Sequence, residues 1–73
     1  MSAEEKLKMI LSGLQAGKTV YVATYLRCWK ITGKTLAKWA QVDRHLFTIN
    51  GNSLYMAAGK RYDCIDYCAI RVV

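Results

Sequence analysis

The sequence contains no proline, a single histidine and only five acidic residues among 73. Without proline, no residue ends a helix or strand by removing a backbone donor, so glycine is the main boundary signal. No apolar run approaches the roughly 18 residues of a membrane span, and the charged N-terminal stretch does not resemble a secretion signal. These absences predict a soluble, cytoplasmic protein with no membrane contact.

Cysteine is scarce and odd in number, because the chain has Cys28, Cys64 and Cys68 without the spacing of a disulfide scaffold. We therefore expect free thiols. With His45 these residues have the composition of a zinc site, but zinc requires sulfurs within about 4 Å of each other. Residues four apart on a strand are separated by roughly 13 Å, so Cys64 and Cys68 cannot share an ion if their segment is extended. We predict buried structural thiols and no metal or other cofactor.

Catalytic motifs are also missing. Two stretches end in Gly-Lys-Thr like a phosphate-binding loop, but Ser12 and Cys28 stand where the first glycine is needed for backbone N–H groups to wrap a phosphate. Asp63 and Asp66 are three apart on a predicted strand, which directs them to opposite faces. Nothing in the sequence fixes the orientation of the lone histidine as a catalytic base. We expect that the protein is not an enzyme.

Acidic residues are absent from one half of the chain. Seven cations and no acid lie between Lys6 and Val42, whereas four cations and three acids follow from Asp43 onward, within a net charge of +6. This asymmetry predicts a basic face whose field attracts polyanions, either nucleic acid or an acidic protein surface. The alternative is that the charge only keeps a small domain soluble.

The N-terminal segment predicts an amphipathic helix from Ser2 to Ala16. Ser2 and Glu5 have the spacing of a capping box, and Gly17 supplies a left-handed stop. The apolar side chains that repeat at three and four positions are Leu7, Ile10, Leu11 and Leu14. One apolar face of this kind favours packing onto a sheet.

From Lys18 to Ile31 the chain is rich in β-branched and aromatic residues with no breaker, which predicts one long strand. Alternation divides the strand into two faces. The predicted core face holds Val20, Val22, Thr24, Leu26 and Cys28. The predicted half-exposed face holds Tyr21, Ala23, Tyr25, Arg27 and Trp29.

Thr32 can cap a second helix from Lys34 to about Val42. Beyond it, Asn50-Gly51 predicts a hairpin of residues 47–49 and 54–56, in which Phe47, Ile49, Leu54 and Met56 share a face. Gly59-Lys60 marks the next turn.

The length of that second turn decides which side chains join the apolar face. A two-residue loop would add Arg61 and Asp63. Burial favours a three-residue loop with a bulge at Gly59, which adds Tyr62, Cys64, Cys68, Ile70 and Val72. Asp66 would then need a partner or a place near the sheet edge.

The predicted order is therefore α-β-α-β-β-β in one small domain covering residues 1–73. This order belongs to the α+β class, with an antiparallel sheet and both helices packed on one of its faces.

Aromatic residues interleaved with cations are the one functional pattern that remains. Single strands of nucleic acid are held this way, because bases stack on rings for about 1–3 kcal/mol each while cations follow the phosphates. The candidate binding residues are Tyr21, Tyr25, Arg27, Trp29, Lys30, Lys34 and Lys38. We interpret the protein as a small basic non-catalytic binding module whose partner is nucleic acid or a ribonucleoprotein.

Three other interpretations stay open. The stretch TGKTLAKWA has the texture of a helix-turn-helix recognition helix, although a strand precedes it where the first helix should be. Small size and absent chemistry also fit a protein-interaction inhibitor or accessory protein of a mobile genetic element, phage-type, which docks on a larger complex. Pairing of the long strand across a two-fold axis would give a homodimer. In each case the aromatic face could instead be covered by the second helix or by a partner protein.

Overall fold

Two helices and six short strands form the parts of the chain, residues 2–41 and 44–73, that the computed structural model describes. In chain order they are α1 (Ala3–Gln15), β1 (Val20–Ala23), β2 (Cys28–Ile31), α2 (Gly33–Ala40), β3 (Phe47–Asn50), β4 (Ser53–Ala58), β5 (Arg61–Cys64) and β6 (Ala69–Val72). The strands make two antiparallel sheets, sheet A in the order β2-β1-β6 and sheet B in the order β3-β4-β5. The α+β class is confirmed, while the element order differs from the predicted one because two predicted strands each divide into two.

Helix α1 begins and ends as the sequence predicts. The Glu5 N–H donates to Ser2 Oγ at 3.1 Å and the Ser2 N–H donates to Glu5 Oε1 at 3.5 Å, which completes the capping box. Gly17 follows the helix with φ +79°, a left-handed conformation that favours glycine. Ile10 and Leu14 are buried, and α1 contacts β1, β3, β4 and α2, so it lies across both sheets.

The predicted long strand is wrong, because residues 18–31 fold into the β1–β2 hairpin. Ala23 and Cys28 are the last strand pair, and the Thr24 N–H donates to the Arg27 carbonyl at 2.8 Å. The two residues left in the loop are Tyr25 and Leu26. The Thr24 hydroxyl accepts from the N–H groups of Leu26 and Arg27, at 3.2 and 3.0 Å. A side-chain hydroxyl therefore closes the turn without glycine or proline, as threonine can do in turns.

The hairpin rearranges the two faces that alternation predicted. Residues directly opposite each other in an antiparallel pair share a face, and Trp29 lies opposite Val22 rather than beside Tyr21. Trp29 accordingly packs against the core from the inner side of sheet A. The even-numbered core series stops at Val22, since Thr24, Leu26 and Cys28 are exposed.

In sheet B the first hairpin is confirmed and the preferred register of the second is wrong. Phe47 pairs with Met56 and Ile49 with Leu54, so these four side chains share a face. Across the next turn Ala58 pairs with Arg61 and Met56 pairs with Asp63. This register leaves Gly59 and Lys60 as a two-residue loop, whereas a three-residue loop was expected. Arg61 and Asp63 neutralise each other through an Nε–Oδ1 contact of 3.2 Å.

Tyr62 explains why the apolar-face argument failed. It lies opposite the buried Ala57 on the other face of sheet B, where the Arg44 guanidinium sits 5.1 Å from its ring centroid and 5.4 Å from that of Trp39. Arg44 Nη1 donates to the Gly59 carbonyl at 2.6 Å. Because Arg44, with the Trp39 ring beside it, covers Tyr62 on this second face, β4 and β5 bury side chains on both sides of sheet B and alternation alone cannot choose the register.

Helix α2 begins one residue earlier than the predicted Lys34 and places its apolar side inward. It begins at Gly33, and the predicted end at Val42 lies outside the described residues. Leu36 and Trp39 pack against the core, and α2 contacts α1 and β2. Neither helix in the described part of the chain is long and apolar enough to cross a membrane.

A turn at residues 65–68 separates β5 from β6 and sends them to different sheets. Asp66 finds its partner here, because its Oδ1 accepts from the Leu54 N–H at 2.8 Å while Lys6 Nζ donates to the Asp66 carbonyl at 2.8 Å. All three cysteines have free thiols, and the prediction that they are buried is right only for Cys68.

Candidate nucleic-acid interface

One side of sheet A faces away from the helices. On this side an aromatic ring on the central strand lies between two cationic side chains on the neighbouring strands. Tyr21 of the central strand lies directly opposite Lys30 of β2 and directly opposite Arg71 of β6. Neighbouring strands are about 4.8 Å apart, so the two cations flank the Tyr21 ring closely. We call this side the outer face, formed by Tyr21, Ala23, Cys28, Lys30, Ala69 and Arg71.

The next row of the outer face consists of small side chains. Ala23 lies between Cys28 and Ala69, and a depression of about 240 Å³ opens there beside Tyr21 and Arg71. The row therefore leaves room beside the ring that a larger side chain would fill. A flat group stacked on Tyr21 would have space over this floor.

The described elements leave the outer face uncovered. Lys30, Arg71, Cys28 and Ala69 are exposed, and Tyr21 is half-buried in the centre of the sheet. Helix α2 packs by its apolar side against the core and β2, which is the opposite side of the sheet. The possibility that the second helix covers the aromatic face is therefore excluded for Tyr21.

The tip of the β1–β2 hairpin continues this surface with exposed aromatic and apolar side chains. Tyr25 is 97% exposed and Leu26 is 81% exposed, while Arg27 follows them in the closing pair. The Thr24 hydroxyl bonds fix the loop backbone, so the tip is a defined structure with side chains directed to solvent.

The predicted site residues divide into three groups. Tyr21 and Lys30 are together on the outer face, and Tyr25 and Arg27 are at the adjacent tip. Lys34 and Lys38 are exposed one helical turn apart on α2, away from the ring row. Trp29 is on the inner side with the core, so its prediction as a stacking ring is wrong.

Arg71 is the residue that sequence reasoning missed. Its neighbours Ile70 and Val72 point inward, so alternation in the last four residues was a usable signal for an outward Arg71. The pairing of β6 with β1 was not predictable locally, because β2, α2 and the whole of sheet B lie between these two strands in the sequence.

No described acid neutralises the outer face. Asp63 contacts Arg61, and the Asp66 carboxylate is held by the Leu54 N–H. That hydrogen bond, followed by one from the Ser53 side chain, lowers the pKa of Asp66 below its usual range, so the carboxylate stays charged at neutral pH. Lys30 and Arg71 therefore act on an approaching anion without an opposing charge in their row.

Metal-ligating side chains are not grouped in the described part of the chain, and the buried cysteine is poorly reactive. Within residues 2–41 and 44–73, no three histidine, cysteine, aspartate or glutamate side chains are grouped to hold a metal ion. Burial raises the pKa of the Cys68 thiol, which keeps it protonated and poorly nucleophilic at neutral pH. The outer face presents one ring and two cations, which can bind a ligand by stacking and by charge.

Comparison with known proteins adds no assignment. No protein-family model matches the chain, and searches of curated proteins and of solved structures give no significant match.

Proposed function

We propose that this protein is a small basic non-catalytic module that binds single-stranded nucleic acid on the outer face of sheet A. The observation that carries the proposal is the row in which Lys30 and Arg71 flank Tyr21 on adjacent strands. A net charge of +6 supplies the long-range attraction that brings a polyanion to this surface.

Binding combines stacking with phosphate contacts. A base stacks on the Tyr21 ring, with a stabilisation of about 1–3 kcal/mol for one base. Lys30 and Arg71 reach outward on both sides of the ring and contact the phosphates before and after that base. The small side chains of the next row accept the sugar or the edge of the neighbouring base.

The geometry favours a single strand over a duplex. In a duplex the flat faces of the bases are stacked on each other, so a ring in the middle of a sheet has no access to them. The helix-turn-helix interpretation also fails its structural requirement, since β2 precedes α2 and the side of α2 with Leu36 and Trp39 packs inward.

Tyr25 and Arg27 extend the same mode to a second base. Tyr25 projects from the hairpin tip beyond Ala23 and Cys28, and it has no packing role to lose on binding. Arg27 beside it contacts a further phosphate. The strand of nucleic acid therefore runs along the hairpin from Tyr21 toward the tip.

Anisotropy titrations of a fluorescein-labelled oligothymidylate test the proposal. Replacing Tyr21 by Ala should weaken binding about tenfold, the effect of losing one stacked base. Tyr25→Ala and Tyr67→Ala form a matched pair, because both rings are 97% exposed but Tyr67 lies beside Ser2 and Lys6, off the outer face. Of these two matched variants, Tyr25→Ala should reduce the affinity for the oligonucleotide and Tyr67→Ala should not.

The salt dependence tests the cations in the same titrations. Removing one phosphate contact lowers the slope of log affinity against log salt by about 0.7 for a single strand. Lys30→Gln and Arg71→Gln should each show this change, and Lys8→Gln, an exposed α1 control, should not. Equal losses of affinity in Tyr25→Ala and Tyr67→Ala would contradict the proposal. An unchanged salt slope in Lys30→Gln would also contradict it.

Exposed Leu26 supports a second candidate function, docking on a larger protein complex as an inhibitor or accessory protein. A leucine that is 81% exposed at a hairpin tip gains free energy when it is buried in an apolar pocket of a partner, whereas it adds little to phosphate binding. A pull-down from the source cell with and without nuclease separates the two functions. If the protein binds nucleic acid, nuclease treatment should release the partner. If it docks on a protein complex, Leu26→Ser should release the partner and nuclease should not.

A further inference from the structure

The edge of sheet A formed by β6 presents free backbone groups. Thr19 and Val73 exchange both backbone hydrogen bonds, at 3.0 and 2.9 Å. Hydrogen-bonded and non-hydrogen-bonded residues alternate along an antiparallel pair. Ala69 and Arg71 therefore direct their backbone groups to β1, while Ile70 and Val72 direct theirs out of the sheet. No described residue pairs with this outer edge.

A groove of about 480 Å³ runs beside the same edge, between α1 and β6. Its lining includes Met9, Gly13 and Ala16 on the helix side, Ile70 and Val72 on the strand side, and Lys18. Gly13 lets the helix approach closely, because a Cβ there would lie 2.6 Å from Val72 Cγ1. The groove is continuous with the side of β6 on which Ile70 and Val72 point, so side chains of an added strand would enter it.

Charge argues against a second copy of this chain at the edge. A two-fold β6–β6 pairing that uses the outward groups of both Ile70 and Val72 centres on Arg71. It places Arg71 directly opposite the Arg71 of the other copy, and like charges in that position destabilise a strand pair. The same position is complementary to an acidic side chain, and Lys18 in the groove adds a second cation.

We propose that β6 receives an extended acidic peptide of a partner protein as an additional strand. Its sequence pattern is apolar–acidic–apolar: the apolar residues lie opposite Ile70 and Val72 and enter the groove, and the acidic residue lies opposite Arg71 on the outer face. Backbone hydrogen bonds provide affinity, and the groove and Arg71 provide specificity, as in other complexes formed by strand addition.

This second binding activity uses an edge, whereas nucleic-acid binding uses a face. The two share only Arg71, so a peptide strand that engages Arg71 competes with one phosphate contact and leaves Tyr21 and Lys30 free. Peptide binding can therefore be measured without any nucleic acid. Failure of the peptide proposal would leave the nucleic-acid proposal intact, and the reverse also holds.

The test is titration of the protein with a fluorescein-labelled short peptide of alternating valine and glutamate. The control peptide has lysine in place of glutamate. Wild-type protein should bind the glutamate peptide and not the lysine peptide, and the amide NMR signals of Ile70 and Val72 should shift on binding. Arg71→Glu should reverse the preference, with at least a tenfold change for each peptide, while Lys60→Glu in the β4–β5 loop should leave it unchanged.

An edge-blocking variant separates backbone pairing from charge attraction. Val72→Pro removes an outward N–H that β1 does not use, and proline is tolerated at that kind of edge position. It should abolish peptide binding. If the circular dichroism of Val72→Pro differs from that of the wild type, the variant has disturbed the fold and its loss of binding is not used. The Arg71→Glu variant then tests the peptide site alone, because Arg71 is exposed and its replacement should not disturb the fold.

Three results would overturn the proposal. Wild-type protein that binds neither peptide, or binds both equally, lacks the specific edge site. Peptide-induced shifts confined to Tyr21 and Lys30 would place the peptide on the outer face. Self-association in sedimentation experiments that Val72→Pro abolishes would assign the edge to a second copy of the chain.

Discussion

Trp29 lies directly opposite Val22 across the β1–β2 pair, and its ring packs against the core beneath sheet A. Tyr21, one residue before Val22, points to the other side, where it lies opposite Lys30. One hairpin thus carries a structural ring and a candidate binding ring on opposite faces. This arrangement makes stability and binding separable by single substitutions.

Trp29→Ala should destabilise the protein strongly, and Tyr21→Ala should not. Truncating a buried tryptophan costs about 3–5 kcal/mol, and we expect about 2–3 kcal/mol for this partly buried ring. Tyr21→Ala loses only cross-strand contacts, worth about 1 kcal/mol or less. Urea unfolding followed by far-UV circular dichroism measures both. Equal losses of stability would mean that Tyr21 is also a core residue.

Gly13→Ala should destabilise the fold through one contact. The added Cβ would lie 2.6 Å from Val72 Cγ1, and overpacking of this kind costs about 1–3 kcal/mol, against a gain of about 0.8–1 kcal/mol from the better helix propensity of alanine inside α1. Gly33→Ala is the matched control, because no atom lies within 4 Å of its Cβ position and its backbone is not left-handed. The control should be neutral or stabilising by about 0.4–1 kcal/mol. In thermal melts Gly13→Ala should therefore unfold below the wild type, and Gly33→Ala should unfold at or above it.

Arg44→Lys should loosen the attachment of α2 to the β4–β5 hairpin. The guanidinium lies between the rings of Trp39 and Tyr62 and donates to the Gly59 carbonyl. An ammonium group cannot stack between two rings, so we expect a loss of about 1–2 kcal/mol. Arg61→Lys, at an exposed ion pair, should change stability by less than about 0.5 kcal/mol. A similar effect of the two variants in urea unfolding would argue against a structural role of the stacking.

Asp66→Asn should alter how stability depends on pH. The folded state holds the pKa of Asp66 below its unfolded value, mainly through the Leu54 N–H. The stabilisation from this carboxylate is therefore complete above the unfolded pKa and is lost as pH falls through the folded pKa. At neutral pH the variant should melt below the wild type, and the two melting temperatures should converge in acid. A difference that persists unchanged in acid would show that the charge is not responsible.

Local signals in the sequence predicted the elements whose determinants are close together. The Ser2–Glu5 capping box and the turn near Asn50-Gly51 were both right, because each depends on a few neighbouring residues. The turn at Thr24 was missed, since a threonine hydroxyl replaces the glycine that usually marks a tight hairpin. The β4–β5 register was wrong because Arg44, with the Trp39 ring beside it, covers a face that alternation assigned to solvent.

The candidate site was predicted in part for the same reason. Tyr21 lies on the outward side that strand alternation predicts, and the tip residues Tyr25 and Arg27 are exposed. Lys30 shares the face of Tyr21 because the hairpin pairs the two residues, which alternation along one long strand would have placed on opposite sides. Trp29 was assigned to the wrong face because a hairpin with an even loop pairs odd with even positions. Arg71 required knowledge of a strand pair between distant parts of the chain, which no local pattern contains.

The position of β6 at the far end of the described chain has a consequence for synthesis. On the ribosome, β1 and β2 emerge early, but the second neighbour of β1 is made only after the whole of sheet B. Until then the backbone groups of Thr19 and Tyr21 face an empty position that any passing strand can occupy. The nascent protein can therefore mispair at this edge of β1 until β6 has been made.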